Sequence, residues 1–219
     1  ISISKFSSVT GIERASDHIY LGIPIHNHFS INPRIIQLTA KISRMVGILS
    51  RLKWNLPSDV LLSIYFAHVH SHLSDTPQIL SVATDNEINS LQVLQNRALK
   101  HVFKLSPRCP TVQLFRDYTK TILPVRGVIR FSSCSFIHKI VLGIINSDLK
   151  FPTSQKGLRN DGDLIPAVSH RSQPFTKSIA HQGAIHYNQI PVEIRKASSI
   201  DSFKSQLKIH LLSSIDKFL

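Results

Sequence analysis

The stretch "NPRIIQLTAKISRMVGILSRLKW", residues 32–54, decides the fold because its apolar residues recur at alternating steps of three and four. They are Ile35, Leu38, Ile42, Met45, Leu49 and Leu52. This spacing places all of them on one face of an α-helix. The sequence therefore predicts an amphipathic helix that begins beyond Pro33 and ends near Trp54, before Pro57.

One flank of this predicted helix is basic. At 100° per residue, the side chains of Arg34, Lys41, Arg44 and Arg51 fall within an arc of about 100° beside the apolar stripe. Lys53 follows at the helix end, and no acidic residue occurs between Asp17 and Asp59. We expect one edge of the helix to pack and the adjacent edge to be cationic.

A second helix with an apolar face and a basic flank is predicted from "TDNEINSLQVLQNRALKHVFKL", residues 84–105. Thr84 and Glu87 have the spacing of a capping box, in which each side chain bonds the other residue's backbone N–H. The apolar face comprises Ile88, Leu91, Leu94, Ala98 and Val102. Arg97, Lys100 and Lys104 share an arc of about 60° and form a second cationic stripe.

The remaining sequence extends this pattern to a mainly α protein, a bundle-like set of helices preceded by a short β-hairpin. The predicted organisation is a hairpin in 1–25, a basic helical region in 26–106, central helices in 107–149, an irregular region in 150–185 and a helical tail in 186–219. The irregular region is proline- and glycine-containing and has no sustained period.

The charge balance points to a polyanionic partner. Lys and Arg total 26 against 13 Asp and Glu, which gives the 219-residue chain a formal net charge of +13. Nucleic acid is the natural ligand for such a surface. The longest apolar run, "IVLGII" at 140–145, is far shorter than the ~20 residues of a membrane span, so we expect no membrane partner. The two cysteines, Cys109 and Cys134, give no disulfide framework, so we expect an intracellular protein, nuclear or cytoplasmic.

Candidate catalytic and metal-binding motifs are weak. His68, His70 and His72 alternate, but on a helix only His68 and His72 share a side, and a zinc site needs three or four convergent ligands. "HNH" at 26–28 and "DGD" at 161–163 lack the further ligands that a nuclease site requires. We therefore assign no catalytic residue, no metal ligand and no cofactor to this chain.

Four stretches in this order resemble the reverse transcriptase of non-LTR, LINE-type and jockey-like retrotransposons, in the part that follows the catalytic palm. They are "IYLGIPI" at 19–25, residues 31–74 ending in "SHLS", "LQVLQNRALKHVF" at 91–103, and "HYNQIPVEIRKASSIDSFKSQLKIHLL" at 186–212. The first is similar to the strand next to the palm, the second and third to the helical thumb, and the fourth to the C-terminal tail.

The resemblance implies an RNA-directed DNA polymerase fragment whose thumb grips a template–primer duplex, either an RNA–DNA hybrid or DNA. Upstream palm and fingers of the same polypeptide would be its partners, and Mg²⁺ would belong to the palm. The residues expected to contact the nucleic-acid backbone are Arg34, Lys41, Arg44, Arg51, Lys53, Arg97, Lys100 and Lys104. As the resemblance places the catalytic aspartates upstream of Ile1, no catalytic residue is transferred.

One alternative is a stand-alone helical protein-interaction module derived from a mobile element, which would bind a protein through its apolar faces. Another is a metal-dependent nuclease built on the three histidines, which would require metal to stay bound through dialysis.

Overall fold

The computed structural model of the chain describes residues 17–20, 23–26, 32–75, 77–145 and 179–218. The mainly helical class is confirmed. Two short strands, β1 (Asp17–Tyr20) and β2 (Ile23–His26), pair antiparallel with Asp17 opposite His26. Residues 1–16 and 21–22 of the predicted hairpin segment lie outside the described residues, as do residues 146–178, which include most of the predicted irregular region.

The helices follow in chain order. The first five are α1 (Asn32–Leu52), α2 (Ser58–Tyr65), α3 (Ser71–Asp75), α4 (Pro77–Leu80) and α5 (Asp85–Val102), with a π-helical turn at Phe66–His70 between α2 and α3. The next are α6 (Thr111–Gln113), a π-helical turn at Leu114–Tyr118, and α7 (Val125–Val141). The last are a π-helical turn at Ile179–Gly183, α8 (Ala184–Asn188), α9 (Val192–Arg195), α10 (Ile200–Ser213) and a 3₁₀ turn at Ile215–Phe218.

The described residues form two hydrophobic cores, and the larger one includes the buried faces of α1, α2 and α5. The predicted apolar stripe of α1 is buried at Ile35, Leu38, Ile42 and Leu49, and α1 packs along α5. Apolar residues of α5 meet it from the other side. The capping box is present as predicted, since Thr84 N donates to Glu87 Oε2 at 2.7 Å and Glu87 N donates to Thr84 Oγ1 at 3.4 Å. Burial of the apolar faces therefore determines which flanks of α1 and α5 face the solvent.

The smaller core joins α7 to the C-terminal helices and centres on His138. Its ring stacks on Phe203 with centroids 3.8 Å apart. Nε2 lies 3.1 Å from the Ala197 carbonyl, which can only accept, so Nε2 holds the proton. Nδ1 then accepts from the Tyr187 hydroxyl at 2.8 Å. A neutral histidine is thus satisfied on both nitrogens.

Helical structure begins at Ile179, inside the stretch 150–185 that the sequence predicts to be irregular. Ala184 and Tyr187 lie three residues apart and both are buried, in a segment that packs on α7. This tertiary contact outweighs the low helix propensity of Gly183 inside the turn.

We predict that acid destabilises the fold through its buried histidines. Burial lowers the pKa of His138, and burial together with the nearby Arg130 lowers the pKa of His186 to about 4. Because the folded-state pKa lies below the unfolded value of about 6.5, stability is fully present above pH 6.5 and is lost as pH falls toward 4.

After allowance for its partial exposure, His186 alone should contribute a loss of roughly 1–2 kcal/mol in the free energy of unfolding. Urea unfolding at pH 7.5 and pH 4.5 measures this loss. In His186→Gln the loss between the two pH values should shrink, whereas in His68→Gln, at an exposed position, it should not. An unchanged loss in His186→Gln would contradict the assignment.

The end of α5 holds a lysine where glycine is favoured. Lys104 N donates to the His101 carbonyl at 3.2 Å and Leu105 N to the Lys100 carbonyl at 2.8 Å, which is a Schellman cap. The cap gives Lys104 a left-handed φ of 54°. Gly143 occupies the same place after α7, with φ of 70°.

Lys104→Gly should therefore raise the free energy of unfolding by about 0.5–1 kcal/mol, because glycine adopts this backbone conformation without a Cβ clash. Gly143→Ala is the matched opposite change and should lower stability by about 1 kcal/mol. Chemical denaturation of both variants measures the two shifts, and a destabilised Lys104→Gly would contradict the prediction.

Candidate nucleic-acid interface

Two cations of the stripe predicted on α5, Arg97 and Lys100, share one groove with Lys53, which follows the end of α1. The groove has a volume of about 490 Å³ and is open to solvent on the outer side of α5. Its basic and histidine side chains are Lys53, Arg97, Lys100 and His101, and it is completed by Val93, Asn96, Leu105, Pro107 and Thr111. We call this set of residues the basic groove. No acidic residue of the described chain lines it.

The local sequence explains how these side chains converge. The buried face of α5, which includes Leu91, Ala98 and Val102, turns Arg97 and Lys100 away from the larger core. On the other side, α1 ends at Leu52 and the backbone N of Lys53 still bonds the Leu49 carbonyl at 3.0 Å. Because α1 packs along α5, Lys53 reaches the groove from the end of α1.

The loop after α5 forms one side of the basic groove. Lys100 Nζ donates to the Pro107 carbonyl at 2.8 Å, and Asn96 Nδ2 donates to Thr111 Oγ1 at 3.3 Å. The carbonyl holds the Lys100 ammonium in place without neutralising its charge. The groove therefore keeps three formal positive charges, on Lys53, Arg97 and Lys100, for an anionic ligand.

An aromatic side chain adjoins the groove at its Lys53 end. Lys53 Nζ lies 4.8 Å from the centroid of the Trp54 ring, a cation–π contact. The Trp54 side chain is nevertheless 73% exposed. This large apolar surface next to a cationic groove was not among the residues predicted from the sequence.

His101 adds a titratable group to the groove. Burial lowers its pKa, and the positive charge of Lys53 lowers it further. His101 is thus mainly neutral at pH 7 and can offer a hydrogen bond rather than a charge. A bound phosphate would favour its protonated form.

Arg34 does not face the groove. It is buried, and its guanidinium donates to Gln37 Oε1 and to Asp75 Oδ2, both at 2.9 Å. These contacts tie α1 to α3, so we leave Arg34 out of the proposed interface. Lys41 is half-buried and close enough to His72 that its charge contributes to the lowered pKa of that histidine.

The other predicted cations are exposed. Arg44 and Arg51 lie seven positions apart on α1 and therefore on similar sides of the helix. Lys104 is also exposed, but it lies beyond the end of α5 and its left-handed backbone takes it off the helical stripe. The structure thus unites Lys53, Arg97 and Lys100 in the groove and leaves Arg44, Arg51 and Lys104 on the surface outside it.

A second cluster of cations was missed. Lys139 of α7 and Lys204 and Lys208 of α10 line a pocket of about 380 Å³, together with Phe66, His70, Phe131 and Phe136. We call it the lysine pocket. The i, i+4 spacing of Lys204 and Lys208 is visible in the sequence and places them on one side of a helix. The packing of α7 against α10, which brings Lys139 to them, cannot be read from the sequence. Because the lysine pocket also contains three cations, substitutions there serve as a control for substitutions in the basic groove.

The three alternating histidines differ in burial and in their contacts. His68 is exposed, His70 packs edge-on against Phe66 with centroids 5.3 Å apart, and His72 is half-buried. Burial is the main cause of the lowered pKa of both His70 and His72. Among the described residues, no group of three or more His, Cys, Asp or Glu side chains is placed to hold a metal ion.

Neither a protein-family model, a curated protein nor a solved structure matches this chain. Within the described ranges, no helix combines the length and the apolar character needed to cross a membrane. The function is therefore inferred from the basic groove and from the sequence motifs.

Proposed function

We propose that the basic groove and the exposed cations beside it bind the sugar–phosphate backbone of a nucleic-acid duplex without reading its sequence. The observation that supports this most strongly is a groove shared by Lys53, which follows α1, and by Arg97 and Lys100 of α5. Among the described residues, no acidic side chain lines it. Each ammonium or guanidinium that contacts a phosphate releases condensed counterions, which supplies affinity independent of base identity.

The composition of the groove fits backbone contact better than base recognition. Two of its three cations are lysines, which act as point charges toward phosphate. The helix α5 presents Arg97 and Lys100 from its side, together with the apolar Val93. An RNA–DNA hybrid tends toward A-form geometry, whose wide and shallow minor groove exposes sugar and phosphate to such a surface.

In the wider proposal, this chain is the thumb and C-terminal helical part of a non-LTR retrotransposon reverse transcriptase. The ordered resemblance of the four sequence stretches supports it. The thumb would hold the template–primer duplex, while polymerisation and Mg²⁺ binding would take place in an upstream palm and fingers.

Fluorescence anisotropy tests the binding step. Two DNA duplexes of unrelated sequence and one RNA–DNA hybrid, all of equal length, should bind within about threefold of one another at 0.1 M salt, since phosphate contacts carry no sequence information. A preference above about thirtyfold for one DNA sequence, or no binding to any duplex at 0.05 M salt, would contradict the proposal.

The polymerase assignment has its own test in the coding sequence that precedes Ile1. An in-frame palm with paired aspartates supports the assignment. A reading frame that encodes an unrelated domain there would contradict it while leaving the duplex-binding proposal intact.

A further inference from the structure

Trp54 is placed where a base of the bound strand could meet it. Its indole is 73% exposed, and one of its faces is approached by Lys53 Nζ at 4.8 Å from the ring centroid. Lys53 in turn lines the basic groove. The same lysine therefore links a phosphate-binding groove to an open aromatic ring.

A large exposed indole needs a partner with a flat, polarisable face. Bases stack on aromatic side chains irrespective of their identity, and base–aromatic stacking combined with a cationic groove is the usual construction of single-strand binding sites. Inside a duplex, each base already has neighbours on both faces. Only an unpaired or terminal base can offer a free face to Trp54.

We propose that Trp54 stacks on the first unpaired base beyond the end of a duplex held in the basic groove. This inference rests on the proposed function, and it narrows the ligand from a duplex to a junction between duplex and single strand. Lys53 would contact the phosphate next to the stacked base, and its ammonium would retain the cation–π contact on the other face of the indole.

The chain contains one tryptophan, so its own fluorescence reports on the proposed contact. A blunt DNA duplex, the same duplex with a four-thymidine overhang, and inorganic polyphosphate are titrated separately into the wild-type chain. The overhang duplex should quench the emission and bind about tenfold more tightly than the blunt duplex. Polyphosphate, which has no bases, should bind with much less quenching.

Variants separate stacking from charge. Trp54→Ala should lose the preference for the overhang duplex, Trp54→Phe should keep part of it, and both should bind polyphosphate like the wild type. Because the Trp54 side chain is largely exposed, both variants should fold, which their melting temperatures check.

Two failures have different meanings. The stacking inference is overturned if the overhang duplex binds no more tightly than the blunt duplex, does not quench the emission, and Trp54→Ala changes neither affinity. The proposed binding of the phosphate backbone by the basic groove would then still stand. If neither duplex nor polyphosphate binds, the proposed function itself is overturned, and the stacking inference with it.

Discussion

Replacing Lys53, Arg97 and Lys100 together by glutamine should weaken duplex binding by roughly 100-fold at 0.1 M salt. Three lost phosphate contacts reduce the slope of log affinity against log salt by about 2.7. Between 1 M and 0.1 M salt, a slope difference of this size corresponds to a loss of affinity of at least about 100-fold. The side chains line an open groove, so their replacement should leave the hydrophobic core intact. Fluorescence anisotropy with a labelled duplex measures the loss.

The matched control is the triple glutamine variant at Lys139, Lys204 and Lys208 of the lysine pocket. It also removes three formal charges, so it lowers the chain's net charge of +13 by the same amount. We expect this control to weaken binding by no more than about fivefold. Equal losses in the two variants would show that net charge, and not the basic groove, determines the affinity.

The second large effect concerns Gln95, a fully buried polar residue of α5. Its Nε2 donates to the Tyr65 hydroxyl at 3.1 Å and to the Leu123 carbonyl at 2.9 Å. Gln95→Leu removes the donor for both and should lower the free energy of unfolding by about 2–4 kcal/mol, because each buried acceptor left without a donor is costly. Urea denaturation at pH 7.5 followed by circular dichroism measures the change.

Tyr65→Phe supplies the control for Gln95. It removes the buried hydroxyl while Gln95 keeps its bond to the Leu123 carbonyl, so the loss should be only about 1 kcal/mol. The double variant should be less destabilised than the sum of the two single variants, because they share the hydrogen bond. Additive losses, or a loss below 1 kcal/mol for Gln95→Leu, would contradict the proposed network.

The predictable parts of the fold are the long periodic helices. The spacing of Leu38, Ile42 and Leu49 places these residues on one face, and burial of that face follows from hydrophobicity alone. The capping box at Thr84 and Glu87 involves only residues 84–87, so the start of α5 can be predicted from these four residues alone. The mainly helical class and the two basic flanks follow from the same periodicity.

Features that depend on distant partners could not be predicted. Arg34 belongs to the basic arc of α1 by angle, yet its side chain is buried and pairs with Asp75 on α3. Lys104 belongs to the stripe of α5 by angle, yet the helix ends at Val102. The lysine pocket requires α7 and α10 to pack against each other, and no periodicity within either helix shows that contact.

The central claim is that the basic groove contacts phosphates directly, and the salt dependence of duplex affinity tests it most directly. For about five contacted phosphates, log affinity should fall against log salt with a slope of roughly −4 to −5 in the wild type. The Lys53, Arg97 and Lys100 triple variant should reduce the slope to roughly −1 to −2, and the lysine-pocket control should keep the wild-type value. A wild-type slope near zero, or one slope shared by all three proteins, would contradict the claim.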